Sequence, residues 1–157
     1  MAKDRMFPNK AKMVRSANLL LLIFAVAPVL YLVIAVLVTF GKPGFARDQT
    51  LVLWVFFLLV IVSGAQLGLT VFLQTRKTLM QTTASYGPVG RTYLTMATGS
   101  ILSEAHAIYG LVLTLLSGSI FYGVGFSLVA WASLLWVRGR FKHNLGKLPD
   151  NQPNSTS

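Results

Sequence analysis

Residues 19–40 read LLLLIFAVAPVLYLVIAVLVTF, an unbroken run without a single charge. Crossing the roughly 30 Å hydrocarbon core of a bilayer takes about 20 mostly apolar residues in a helix, so this run, with its flanks at about 17–40, is long enough to span. Lys10, Lys12 and Arg15 precede it, as basic residues precede a secretory signal. The apolar run of a signal is only about 7–15 residues long, which favours a retained helix here. Pro28 lies inside it and predicts a kink, tolerated in lipid when a neighbouring group satisfies the carbonyl that proline leaves unpaired.

Three further stretches have the same character, at about 51–73, 92–116 and 120–137. Gly41, Pro43 and Gly44, with Arg47 and Asp48, separate the first from the second, because Gly and Pro interrupt helices. A polar connection from Gln74 to Arg91 follows the second. Ser117, Gly118 and Ser119 leave so little chain between the third and fourth that these two must form an antiparallel hairpin. The expected fold is all-α: a polytopic membrane protein with four transmembrane helices in an antiparallel bundle. The chain divides into a basic tail at 1–16, the transmembrane domain at 17–137, and a second tail at 138–157. That second tail is basic at first, then polar (PDNQPNSTS), with a composition that predicts disorder.

Composition agrees. Charged residues are 11% of the chain against about 25% in soluble domains, too few to coat a water-soluble surface. A net charge of +10 can point to nucleic acid, but Lys and Arg sit only in the tails and loops. Topology accounts for them, and no nucleic-acid partner is expected. Both tails and the second loop, which share one side, hold twelve; the other side has only Lys42 and Arg47. The positive-inside rule then places both termini in the cytoplasm, with the protein integral to a membrane of the bacterial inner (plasma) type. Trp54, Trp131, Trp136 and Tyr93 fall near expected helix ends, where amphipathic rings favour the interface. There is no cysteine, hence no disulfide, thiolate metal site or cysteine nucleophile.

The third span is the one with chemistry in it. Glu104, the only glutamate of the chain, and His106 both fall near its middle. A charge at mid-bilayer costs at least about 2.5 kcal/mol, so such residues tend to be functional. Thr92, Thr95, Gly99, Ser103, His106 and Gly110 recur at spacings of three and four, which puts them on one helix face. Small residues and hydroxyls on one face favour close packing against another helix. Glu104 projects about 100° from Ser103, on the flank. The second span offers Gly64 and Gly68 in a GxxxG pattern, with Gln66 between them at a depth from which a hydrogen bond to Glu104 is feasible. His106 reads as a helix–helix hydrogen bonder. His143, the other histidine, lies beyond the fourth span, so a bis-histidine haem within one chain does not fit. Glu104 and His106 are two residues apart and do not face each other.

Residues 103–112, SEAHAIYGLV, resemble the outer helix of the c subunit, or proteolipid, of rotary ATP synthases. The family pattern is an ion-binding carboxylate followed by A-x-x-I-Y-G-L-V; Glu104, Ala105, Ile108, Tyr109, Gly110, Leu111 and Val112 match it. The resemblance implies that Glu104 binds a proton and that Gln66 stands where sodium-type members place a glutamine. The chain departs from the family in the sparse glycines of its second span, in carrying the carboxylate on the third of four spans, and in its second loop, which reads Gln74, Thr75, Arg76 and Lys77. No zinc spacing, phosphate loop or nucleophile motif occurs, and neither an enzyme nor a cofactor is expected. Two functions follow: a proteolipid-like ion (proton) handling component, or a non-catalytic structural or assembly subunit. Its partners would be the lipid bilayer and other membrane subunits or copies of itself.

Overall fold

The computed structural model describes residues 10–41, 44–46, 48–74 and 88–147. The expected disorder after residue 147 and the basic residues Lys42, Arg47, Arg76 and Lys77 lie outside the described residues. The described residues form four helices: α1 (Lys10–Thr39), α2 (Gln49–Leu73), α3 (Pro88–Ser117) and α4 (Ile120–Gly146). All four are long and apolar enough to cross a membrane. The protein is an all-α, integral membrane four-helix bundle.

Local chemistry sets the ends. The Asp48 carboxylate caps α2 by accepting from the Thr50 N–H at 2.8 Å. Between α3 and α4, Gly118 has φ +74°, a left-handed conformation that glycine adopts without steric cost. Its N–H donates to Thr114 O at 2.8 Å, and Ser119 N–H donates to Ser117 Oγ at 3.0 Å. The loop from α1 to α2 lies against this turn: Phe45 N–H donates to Leu115 O at 3.0 Å and Ala46 N–H to Leu116 O at 2.9 Å. These bonds satisfy two of the carbonyls that every helix leaves orphaned at its C-terminus. They also fix these two connections at one end of the bundle, the hairpin end; the start of α1 and the end of α4 lie at the other, the tail end.

Two boundaries differ from the sequence reading. α1 begins at Lys10 rather than about residue 17, and α4 continues to Gly146 rather than stopping near 137. Helix does not stop where hydrocarbon stops, provided an apolar stripe goes on packing. Met13, Ala17 and Leu21 on α1 form such a stripe, as do Leu134, Val137 and Phe141 on α4. With Met96 of α3 they make the main buried apolar cluster, placed toward the tail end. The charges of this extension, including Arg138 and Arg140, point outward. The Arg140 guanidinium lies 5.6 Å from the Trp136 ring centroid, a cation–π contact on the helix surface.

α3 is the hub. It packs on α1, α2 and α4; α1 also packs on α4, whereas α2 makes an extensive contact with α3 alone. α3 and α4 approach closely at Gly110, where an added Cβ would stand 2.9 Å from Phe126 Cβ and 3.1 Å from Gly123 Cα. Gly64 and Gly68, expected at a helix contact, are not at one within this chain. Both are exposed, with nothing within 4 Å of an added Cβ. The GxxxG motif lies on the outer surface of α2 because Ser63, Gln66 and Thr70 occupy the face toward the bundle.

Replacing Gly110 by Leu is therefore expected to lower stability in detergent by about 1–3 kcal/mol, the usual range for overpacking. Gly68→Leu is expected to leave it unchanged. Thermal unfolding of the two variants, followed by helicity, separates these outcomes.

Candidate functional site

The polar side chains of α3 point in three directions, one toward each neighbouring helix. Toward α4 the stripe is buried at Gly99, Ser103 and Gly110. Ser103 Oγ donates to Gly99 O at 2.8 Å and lies 2.8 Å from Ser133 Oγ. Because the Ser103 proton is engaged by its own helix, Ser133 is the donor of the interhelical bond. Gly99 leaves room for Val137 and for the amide of Gln74, which an added Cβ would crowd at 2.9 and 2.7 Å.

Toward α2 lie His106 and Tyr109. His106 is fully buried. Its Nδ1 sits 3.0 Å from Leu102 O, and its Nε2 sits 3.3 Å from Ser63 O on α2. Carbonyl oxygens only accept, so a neutral ring, with a single N–H, donates to one of these carbonyls, and both nitrogens are turned to backbone rather than held open for a ligand. Tyr109 Oη accepts from Gln66 Nε2 at 2.7 Å, and its ring stands edge-on to Phe126 with centroids 6.4 Å apart. Gln66 Oε1 is buried without a partner.

Toward α1 lies Glu104. It is half-buried, not enclosed, and its Oε1 accepts from Tyr31 Oη at 2.7 Å. The expected Gln66–Glu104 bond does not form. Glu104 and Tyr109 are five residues apart, about 140° around the helix, so α3 presents the acid to α1 and the phenol to α2. Matching depths do not bring two residues together when their helical phases differ. Tyr31 thus holds one carboxyl oxygen, leaving an acid whose second oxygen has acceptor capacity to spare. No group of three or more His, Cys, Asp or Glu side chains that could hold a metal ion lies among the described residues.

Tyr31, Ser63 and Ser133, the partners of this hub, sit inside apolar runs and were read as part of them. The available signal was chemical: a phenol in mid-span brings a polar tip that has to find a partner. Trp131 needs a correction too. It stands in the middle of α4, not near a helix end, and its indole N–H donates to Ala25 O at 3.0 Å. α1 is continuous through Pro28. The proline leaves the Phe24 carbonyl without its usual i+4 donor, and Trp131 supplies a donor one residue along, at Ala25.

Comparison with known protein families, with characterised proteins and with solved structures finds no match to this chain.

The Gln66–Tyr109 bond offers a test of the site's geometry. Tyr109→Phe is expected to cost about 0.6 kcal/mol, and at most about 1.7, as interhelical hydrogen bonds in membranes do. The change should have little further effect once Gln66 is already Leu. A double-mutant cycle on unfolding free energy measures that coupling; fully additive costs would contradict the bond.

Proposed function

We propose that this membrane protein is a proteolipid-like ion-handling component in which Glu104 exchanges a proton. The supporting observation is the position of the acid. It is the sole acidic residue within the four helices. It stands about midway along the hub helix, tethered through one oxygen by Tyr31 and only half-buried. An acid that served packing alone would gain most from full enclosure with both oxygens bonded, since buried polar atoms are costly unless paired. An exchanging acid needs a fixed orientation and a route of access. The resemblance of residues 103–112 to the proteolipid outer helix adds to this reading. In it Gln66 is a positioning residue for Tyr109 and does not contact the acid. The chain is non-enzymatic in this reading. It lies in a bacterial inner membrane with both termini cytoplasmic, on the strength of the twelve-to-two distribution of Lys and Arg.

The second reading, a structural or assembly subunit of a membrane complex, has its own supporting observation. Gly64 and Gly68 form an exposed ridge on α2, the helix least held by its own chain, and small residues on a membrane helix permit close approach of another.

The two readings part at Glu104. Under ion handling, a hydrophobic carbodiimide labels Glu104 selectively, and Glu104→Gln abolishes both labelling and proton-linked activity in vesicles. The fold should survive, because an amide oxygen still accepts from Tyr31. Absence of labelling, together with normal behaviour of the Gln variant in every assay, would eliminate the ion-handling reading. Orientation is tested separately with reporters fused after Ser157 and in the loop around Arg47; an exported C-terminal reporter would contradict it.

A further inference from the structure

α2 and α4 both lean on α3 but make no extensive contact with each other, and a cleft runs between them along most of the bundle. At the hairpin end it opens as a cavity of about 620 Å³ bordered by Gln49, Ser117 and Ser119. The Ser119 hydroxyl makes no helix-capping bond. Past Phe121 and Tyr122, which border both chambers, it continues as a cavity of about 400 Å³ walled by Phe56, Val60 and Val129. Leu67 and Val129 lead on to a third chamber of about 310 Å³ that ends at Trp136. The lining therefore changes from polar at the hairpin end to apolar along the membrane interior.

We propose that this cleft binds a phospholipid, its head group in the polar chamber at the hairpin end and one acyl chain along the apolar channel between α2 and α4. Three observations carry the assignment. First, the gradient of polarity follows that of an amphiphile and is oriented correctly for one whose head lies at the membrane surface. Second, Phe121 to Trp136 covers about 22 Å at 1.5 Å per helical residue, more than the roughly 15 Å depth of one hydrocarbon leaflet, so an extended chain is accommodated to its end. Third, the two apolar chambers, of about 400 and 310 Å³, are of ligand size. They fall within the range of about 300–1,000 Å³ usual for small-ligand sites. Gly64 and Gly125 border the channel, and an added Cβ at either meets nothing within 4 Å. Their lack of side chains is what keeps the channel open. This inference makes no use of Glu104 and stands apart from the ion-handling reading.

The test is lipid retention by the intact protein. Purified in mild detergent and examined by native mass spectrometry, the wild type is expected to carry one phospholipid per chain. Gly64→Leu/Gly125→Leu, which fills the channel, is expected to lose that adduct with its helicity and unfolding temperature maintained. Leu135→Phe, on the exposed surface of α4, should keep it. A double variant that keeps the adduct, or a wild type that carries none, overturns the proposal. So does an efficient intermolecular disulfide between copies carrying Gly64→Cys, since a second chain would then occupy the cleft. A phospholipid bearing a photoreactive acyl chain provides a readout that does not depend on the double variant folding. Labelling should concentrate on residues 56–67 and 121–136; labelling spread equally over the exposed face of α1 would also overturn the assignment.

Discussion

Hydrocarbon offers no hydrogen bonds, so every polar group carried into the membrane has to find its partner inside the protein. That constraint organises this bundle. α3 has the lowest mean hydropathy of the four spans, and its polar side chains are directed to three neighbours. Ser103 meets Ser133 of α4, His106 and Tyr109 meet Ser63 and Gln66 of α2, and Glu104 meets Tyr31 of α1. The other three helices are positioned by what α3 needs. In lipid, where apolar contact between helices gains little over contact with acyl chains, such bonds and close backbone approach are the main sources of specific association.

The same logic accounts for the unequal grip on the four helices. α1 and α4 extend past the hydrocarbon and share the apolar cluster of Met13, Ala17, Val137 and Phe141, so the ordinary hydrophobic effect holds them at the tail end. α2 has no part in that cluster. It is tied to the rest by bonds to α3 at Ser63 and Gln66, and by the short loop pinned at Leu115 and Leu116. A helix held along one edge leaves a cleft on its other side, and on the opposite flank of α3 Glu104 is only half-buried. Both features that suggest function arise because α3 has three polar directions and only one of them is closed by glycine-mediated contact.

Much of this architecture is legible in the sequence, for definite reasons. Apolar runs of spanning length can be counted, and glycines with hydroxyl residues at three- and four-residue spacing on α3 define a face without knowledge of its partner. Helix ends were less legible: Lys12, Arg15, Arg138 and Arg140 mark where hydrocarbon stops, whereas Met13 and Phe141 go on packing beyond it. Pairings between helices were the least legible. Gln66 and Glu104 lie at compatible depths, but depth is one coordinate and rotation is another, and the phase of α2 relative to α3 is not written in either span alone. The Gly64–Gly68 motif has the same limit: GxxxG states that a close approach is possible there and not which surface makes it, and within this chain nothing packs on it. Trp131, expected near a helix end, instead donates across to Ala25 O of α1, one residue from the carbonyl that Pro28 leaves unpaired.

Engineered disulfides show whether the polar faces of α3 fix its neighbours by direct contact. The chain has no cysteine of its own, so each introduced pair reports alone. Ser103 and Ser133, whose hydroxyl oxygens are 2.8 Å apart, should oxidise rapidly and nearly completely in the membrane when both are Cys, because their γ atoms already meet across the α3–α4 contact. Cysteines at Ser103 and Gly64 should not, since Gly64 lies on the exposed surface of α2. Failure of the Ser103→Cys/Ser133→Cys pair to cross-link, or ready cross-linking of Ser103→Cys with Gly64→Cys, would mean that α3 turns a different face to its neighbours, and the account built on that hub would fail with it.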